Sequence, residues 1–195
     1  MSRGAKAHEA TGQLRIIGGQ WRGRKLTFPD IEGLRPTTDR VRETLFNWLA
    51  PQLHGARCLD LCAGSGALGL EALSRGAALC HFVDSSRTAV SQIQTHLQTL
   101  SAADRGLCQT GLAQDYLERT TGTWDIVFID PPFGLDLVAP LCELLQRKGC
   151  LANEAMVYVE TGIGEPGPQI KPNWTLHREK RAGKVSYQLF IVHTL

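Results

Sequence analysis

Hydrophobic positions along this chain follow two periods that take turns. Short runs of β-branched, aromatic and leucine residues bounded by Gly, Pro or Asp read as strands, and stretches where apolar residues recur every three or four positions read as helices. Residues 14–17 form a short strand, Gly18-Gly19 allow a tight turn, and residues 21–28 return as a second strand. Thr37, Thr38 and Asp39 offer N-cap oxygens for a helix running to about Leu49. Val41, Leu45 and Trp48 fall on one side of it, Asp39 and Arg40 on the other, and Pro51 is expected to end it. Then come strand 57–62, helix 67–75, strand 78–83, helix 86–100, strand 107–110, strand 125–129, helix 135–147 closed by Gly149, and strand 156–160. Residues 162–172 are rich in Gly and Pro and show no period, and 174–180 with 185–192 read as a closing hairpin about Ala182-Gly183-Lys184. Its Arg178, Lys180, Arg181 and Lys184 read as a solvated tip, the other reading being an addition to a polyanion-binding surface. This alternation predicts an α/β fold, a mostly parallel sheet with helices on both faces, extended by an N-terminal β-hairpin.

The most informative turn follows strand 125–129. The chain stops there at Asp130-Pro131-Pro132-Phe133. Prolines fix φ and carry no N–H, so they cannot prolong a sheet. They leave a carboxylate, bare carbonyls and an aromatic face at the carboxyl end of a central strand, where open α/β sheets bind ligands. That set suits an exocyclic amine on a flat base. Asp130 and the Pro131 carbonyl accept its two N–H groups, Phe133 stacks on the ring, and the nitrogen lone pair is turned toward an electrophile. The alternative is a Pro-rich turn that only terminates a strand.

A second turn narrows the choice. Gly64, Gly66 and Gly69 spell G-x-G-x-x-G between strand 57–62 and its helix, a pattern that equally suggests a dinucleotide enzyme. Asp60, four residues before Gly64, separates the two readings. A carboxylate repels a pyrophosphate and attracts an ammonium. Asp84, at the end of strand 78–83, can accept from ribose hydroxyls or cap the next helix. After the third strand of the core the chain reads Gly111-Leu112-Ala113, so no side chain there offers a hydrogen-bonding group. The backbone about Leu112, or Asp115, is left to meet a polar ligand group, although Asp115 is also an ordinary first-turn acid.

Composition adds little until it is divided along the chain. The 195 residues suit one domain with ordinary hydrophobic (43%) and charged (21%) content. No apolar run could span a bilayer and no h-region opens the chain, so the expected location is cytoplasmic. Six cysteines without C-x-x-C read as reduced buried thiols, and six histidines show no ligand spacing, so no metal is expected. The net charge of +2 is uneven, with +5 in residues 1–42 and −3 in the rest. A basic N-terminal segment suits a polyanionic partner. Arg22, Arg24 and Lys25 around Trp21 are one style of nucleic-acid contact, and a hairpin that caps the body through Trp21 is the other reading.

The DPPF turn resembles the [DN]PP[FY] motif of amino-group methyltransferases that use S-adenosylmethionine, and D-x-x-x-G-S-G is similar to their motif I. RIIGGQWRGRKL, LRPTTDRVRETLFNWL, LDLCAGSGALGLEALSRGA, FIDPPF and WTLHREK together look like the RsmD family, bacterial enzymes that methylate guanine N2 in small-subunit (16S) rRNA. The resemblance implies a class I methyltransferase (Rossmann-like) fold with a seven-stranded sheet. It divides the chain into a flexible basic arm (1–13), an RNA-facing hairpin and helix (14–50) and the methyltransferase domain (51–195). It implies Asp130, Pro131 and Phe133 as the reacting turn, and a cofactor site of Asp60, Ala63, Gly64, Ser65, Gly66, Asp84, Leu112, Ala113 and Asp130. Substrate contacts are expected from Pro132, Arg22, Arg24, Lys25, Arg35, Thr37 and Arg40, and the partner is 16S rRNA, within the small ribosomal subunit or its precursor. Related DPPF or NPPF enzymes modify adenine N6, cytosine N4 or a protein glutamine. A non-catalytic RNA-binding assembly factor also remains open.

Overall fold

The strand–helix alternation closes into one sheet. The computed structural model describes residues 11–29, 37–169 and 171–193. An N-terminal hairpin of β1 (Thr11–Arg15) and β2 (Lys25–Pro29) precedes α1 (Asp39–Leu53). The core then runs β3 (Arg57–Leu61), α2 (Ala67–Ser74), β4 (Leu79–Asp84), α3 (Arg87–Thr99), β5 (Gly106–Thr110), α4 (Ala113–Arg119), β6 (Trp124–Ile129), α5 (Val138–Lys148), β7 (Leu151–Gly162), β8 (Trp174–Ala182) and β9 (Val185–Val192). The seven core strands lie in the order β5-β4-β3-β6-β7-β9-β8. All pairings are parallel up to β7, and β9 runs antiparallel to both β7 and β8.

Alternate residues of the central strands feed two apolar layers, as the period of two requires. Cys58, Phe82, Ile126, Phe128, Met156 and Tyr158 face one layer, with α1, α2 and α3. Leu59, Leu61, Val83, Val127, Ile129 and Val157 face the other, with α4 and α5. The N-terminal hairpin belongs to the first layer, where Leu14, Ile16, Leu26 and Phe28 are buried. It is fastened there by a buried charge. Glu71 of α2, with no exposed surface, accepts from the backbone N–H groups of Ile17 (2.9 Å) and Gly18 (2.7 Å) and from Arg75 Nε (2.7 Å). Arg42 of α1, also buried, lies 3.5 Å from Glu71 and donates to the Arg15 carbonyl (2.8 Å) and to Asp39 (2.7 Å).

Several expected boundaries move. β1 starts at Thr11, inside the stretch read as an arm, and residues 1–10 lie outside the described residues. Trp21 stands in a 3-10 turn (Gly19–Trp21), so the second strand begins only at Lys25. Trp21 N–H donates to Ser74 Oγ (3.0 Å) and Arg105 covers its ring, which is the capping arrangement. Pro51 sits inside α1, which continues until Leu53 is buried. The helix after Phe133 starts three residues later than its apolar period suggested, at Val138. β7 is more than twice its expected length, because its start pairs with β6 from Leu151 and β9 pairs with it as far as Gly162.

Candidate active site

Strand register brings the two singled-out turns together. Leu61 pairs with Val83 on one side and Ile129 on the other, and Ile129 pairs with Val159. One residue further along each strand stand Asp84, Cys62, Asp130 and Glu160. They form a row across the carboxyl edge of β4, β3, β6 and β7, with about 5 Å between neighbouring strands. Asp84, Asp130 and Glu160 continue the period of their strands onto the face that carries α1, whereas Cys62, at positive φ, packs toward the other layer.

The glycine turn leaves β3 through Cys62, whose φ of 63° lies in the left-handed region, and enters α2 through Gly66 at φ 75°. A Cβ at Gly66 would meet Ile93 Cγ1 at 3.0 Å, so both space and dihedral demand glycine. Gly69 answers a different need, since a Cβ there would lie 2.2 Å from the Phe82 ring and push α2 off the sheet. Asp60, buried, accepts the Gly69 N–H (2.9 Å) and so satisfies one of the free donors in the first turn of α2. Asp84 accepts from Gly64 N–H (2.8 Å) and from Ser86 N–H (2.8 Å) and ties the turn to β4. The cap of α3 is Ser86, whose hydroxyl accepts from Ala89, not Asp84. Ala63 and Ser65 are buried within the turn.

At the neighbouring turn the Thr37 hydroxyl donates to Asp130 (2.9 Å), while Thr38 supplies the α1 cap. The two threonines therefore divide the roles that the sequence left open. Pro131 is buried, Pro132 exposed, and the Phe133 ring is 48% exposed over the edge. Leu112, Leu135 and Ile163, which follow β5, β6 and β7, are exposed at the same edge. Leu112 starts α4 without a side-chain cap, Ala113 beneath it is buried, and Asp115 is an exposed first-turn acid.

Burial and neighbouring carboxylates make three of these groups, Asp130, Glu160 and Asp60, harder to ionise. Burial pushes Asp130 up to about 6, and the Thr37 hydroxyl pulls partly the other way. Burial, then the nearby Asp130 carboxylate, pushes Glu160 up to about 8, and the Tyr158 hydroxyl donates to it at 2.7 Å. Asp60 is raised well above its ordinary value, first by burial and then by Asp130 and Asp84, against the opposing Gly69 N–H. Such a site is complementary to a cation. Among the described residues no group of His, Cys, Asp and Glu has the geometry to hold a metal ion.

The family described as "Conserved hypothetical protein 95" matches residues 14–191. "Ribosomal RNA small subunit methyltransferase D" of Escherichia coli is 51% identical over 183 residues, covering 94% of this chain and 92% of that protein. Its Haemophilus influenzae namesake is 46% identical, covering 93% and 95%. The chain belongs to the RsmD family. A solved structure of a candidate methyltransferase from Escherichia coli, 49% identical, superimposes with a TM-score of 0.87 over 93% of this chain and 99% of that one. An O-methyltransferase from Bacillus cereus in complex with SAH shares the fold at 13% identity and a TM-score of 0.65, over 80% of this chain and 82% of that one. The fold is that of class I methyltransferases.

In this RsmD-family chain the expected site residues do not all converge. α3 starts beside Asp84 and runs about 20 Å to the opposite edge of the sheet. Arg24 Nη2 donates to the Thr99 carbonyl (3.4 Å) at that far end, and Arg22 and Lys25 are exposed nearby. These three cations therefore stand away from the DPPF turn. Arg40 lies exposed in the first turn of α1, close to Thr37, and Arg35 lies outside the described residues. Three features escaped the sequence reading. Glu160 looked like a strand end. Glu165 accepts the Gly134 N–H (2.6 Å) and the Gly162 N–H (2.9 Å), fastening the loop after Phe133 to the loop after β7. The closing hairpin turns at Gly183-Lys184 on the DPPF edge, because β9 pairs Val185 with Gly162 and the Lys184 carbonyl accepts from Ile163. A cavity of about 180 Å³ lies there, lined in part by Thr161, Glu165, Arg181, Ser186 and Gln188. Parallel register and hairpin direction were the signals that could have found them.

Proposed function

We propose that this chain transfers a methyl group from S-adenosylmethionine to the exocyclic N2 amine of a guanine in small-subunit (16S) rRNA. One observation carries the reading. The glycine turn and the DPPF turn end adjacent parallel strands at one edge, so a donor on the first faces an amine on the second. The residues fit the cofactor. The glycine turn has the backbone conformation for close approach, and the carboxyls Asp60, Asp84 and Asp130 suit a ligand bearing an ammonium and a sulfonium. They disfavour the doubly anionic pyrophosphate of a nicotinamide cofactor. Asp84 would accept from ribose, the backbone of Ala63 to Gly66 would cradle the methionine portion, and Leu112 with Ala113 would flank the adenine.

When bound, S-adenosylmethionine supplies a methyl group on sulfonium, an electrophile that needs no further activation by the protein. The chain's own residues position the nucleophile. Asp130 and the Pro131 carbonyl accept the two amine hydrogens and hold the lone pair toward the glycine turn. Phe133 stacks on a base that is exposed or swung out of its helix. After transfer the methylated nitrogen carries a labile proton, which passes to Asp130 or water. Thr37 holds the Asp130 carboxylate in place. The RNA strand would lie along the carboxyl edge, between Arg40 on one side and Arg181 with Lys184 on the other.

Transfer of labelled methyl to small ribosomal subunits, with mass spectrometry of the nucleosides, tests the reading. N2-methylguanine is the expected product, and N6-methyladenine or N4-methylcytosine would replace guanine with another base. Asp130→Ala is expected to lower transfer at least about 1000-fold while changing cofactor affinity less than about fivefold. Full turnover by that variant would remove Asp130 from the reaction.

A further inference from the structure

The proposed function leaves one buried group at the site without a task. Glu160 lies one strand over from Asp130, in the same row and on the same face, and only 6% of its surface is exposed. β7 does not stop where β6 does. It continues to Gly162, so Glu160 stands inside the strand, alongside the space beyond the DPPF turn. The Tyr158 hydroxyl donates to Glu160 Oε2 at 2.7 Å and fixes the carboxyl from below.

The ring atom next to the methylated amine distinguishes the bases. In guanine, N1 beside N2 carries a hydrogen. In adenine and cytosine, the ring nitrogen beside the exocyclic amine is a bare acceptor. Guanine N2 is flanked by N1–H on one side and by the bare N3 on the other, and of the two orientations of an amine held by Asp130 and the Pro131 carbonyl, the one that turns N1 toward β7 brings it to Glu160. We propose that the Glu160 carboxylate accepts the guanine N1–H and is the residue by which the site selects guanine. This rests on the reading that the target is a guanine N2 amine. Ionised, above a pH of about 8, Glu160 gains a hydrogen bond from guanine and meets another acceptor in the other two bases, which costs far more than an absent contact. Tyr158, which donates to Oε2, leaves Oε1 for the base. Asp130, just after β6, and Tyr187, the β9 pairing partner of Glu160, are the other titratable groups beside it.

The test compares guanine with 2-aminopurine at the methylated position of otherwise identical substrate RNA, at a pH above about 8 where Glu160 is ionised. 2-Aminopurine keeps the amine but has no hydrogen on N1. The wild-type enzyme is expected to prefer guanine by at least about 30-fold in kcat/KM. In Glu160→Gln the amide oxygen still accepts from Tyr158 and the amide N–H faces the base, so the preference should fall below about threefold or reverse. A purely structural role would slow both substrates equally and leave the ratio unchanged, which overturns the proposal. So does a wild-type ratio near one, which requires no variant to fold. Product analysis on natural RNA separately decides whether guanine N2 is the target, so failure of that reading is not confused with failure of this one.

Discussion

Two basic hairpins flank the sheet, and they differ in what holds them and where they point. The N-terminal hairpin forms its own two-stranded sheet and is bound to the body by side chains, above all Glu71. Its turn, with Arg22 and Arg24, lies at the amino edge beside the end of α3. The closing hairpin is part of the main sheet, held by a backbone ladder to β7, and its turn lies at the carboxyl edge beside the DPPF loop. Local charge density made the first hairpin look like the RNA surface. Strand direction, which charge density does not encode, gives the second the better position.

The largest effect should come from unfastening the first hairpin. Glu71→Ala leaves two backbone N–H groups, Arg42 and Arg75 short of a buried acceptor. Removing one partner of a buried network costs about 3–5 kcal/mol. We expect a denaturation midpoint lowered to match, and faster hydrogen exchange at Ile17 and Gly18 than anywhere in β9. Equal loosening of both hairpins would mean that they share one cooperative unit.

Next in size is charge neutralisation, read as RNA affinity against salt. Arg181→Ala with Lys184→Ala should weaken RNA binding about tenfold and reduce the slope of log K against log salt by about 1 to 2. Arg22→Ala, Arg24→Ala and Lys25→Ala together should weaken it about threefold or less, with a slope change below about 1. The opposite ranking would mean that the RNA tracks across α2 and α3 to the amino edge, and would restore the N-terminal hairpin as its main contact.

Why the sequence favoured one hairpin over the other is a matter of range. Everything set within about ten residues was legible. The alternating periods gave nearly every core element, Gly149 closed α5 in the left-handed conformation, and Asp130-Pro131-Pro132 ended β6. The glycine turn and the DPPF turn were legible as a pair because parallel α/β topology always puts successive strand ends on one edge. Contacts set by long-range register were not legible. Nothing near Glu160 in sequence places it beside Asp130, and nothing near Glu165 points to Gly134. Glu71 lies in an all-buried helix segment whose periodicity gives no hint of a charge facing Ile17.

The smallest expected effect concerns the side-chain hydrogen bond from the N-terminal segment to the reacting turn, that of Thr37 to Asp130. A donor to a carboxylate favours its ionised form, so the Thr37 hydroxyl holds the Asp130 value lower than burial alone would. Asp130 must be ionised to accept from an amine, so activity should fall as pH drops through about 6. Thr37→Val keeps the shape and removes the donor. Asp130 then rises further, and the acid limb of the kcat/KM profile moves to higher pH. At pH 6 the variant should be about threefold to tenfold slower than wild type, and by pH 8.5 the two should agree within about twofold. A uniform loss at every pH would mean that Thr37 only shapes the pocket. A shifted limb would show that the N-terminal segment reaches the chemistry through the start of α1, whereas its basic hairpin turn, on the far edge, does not.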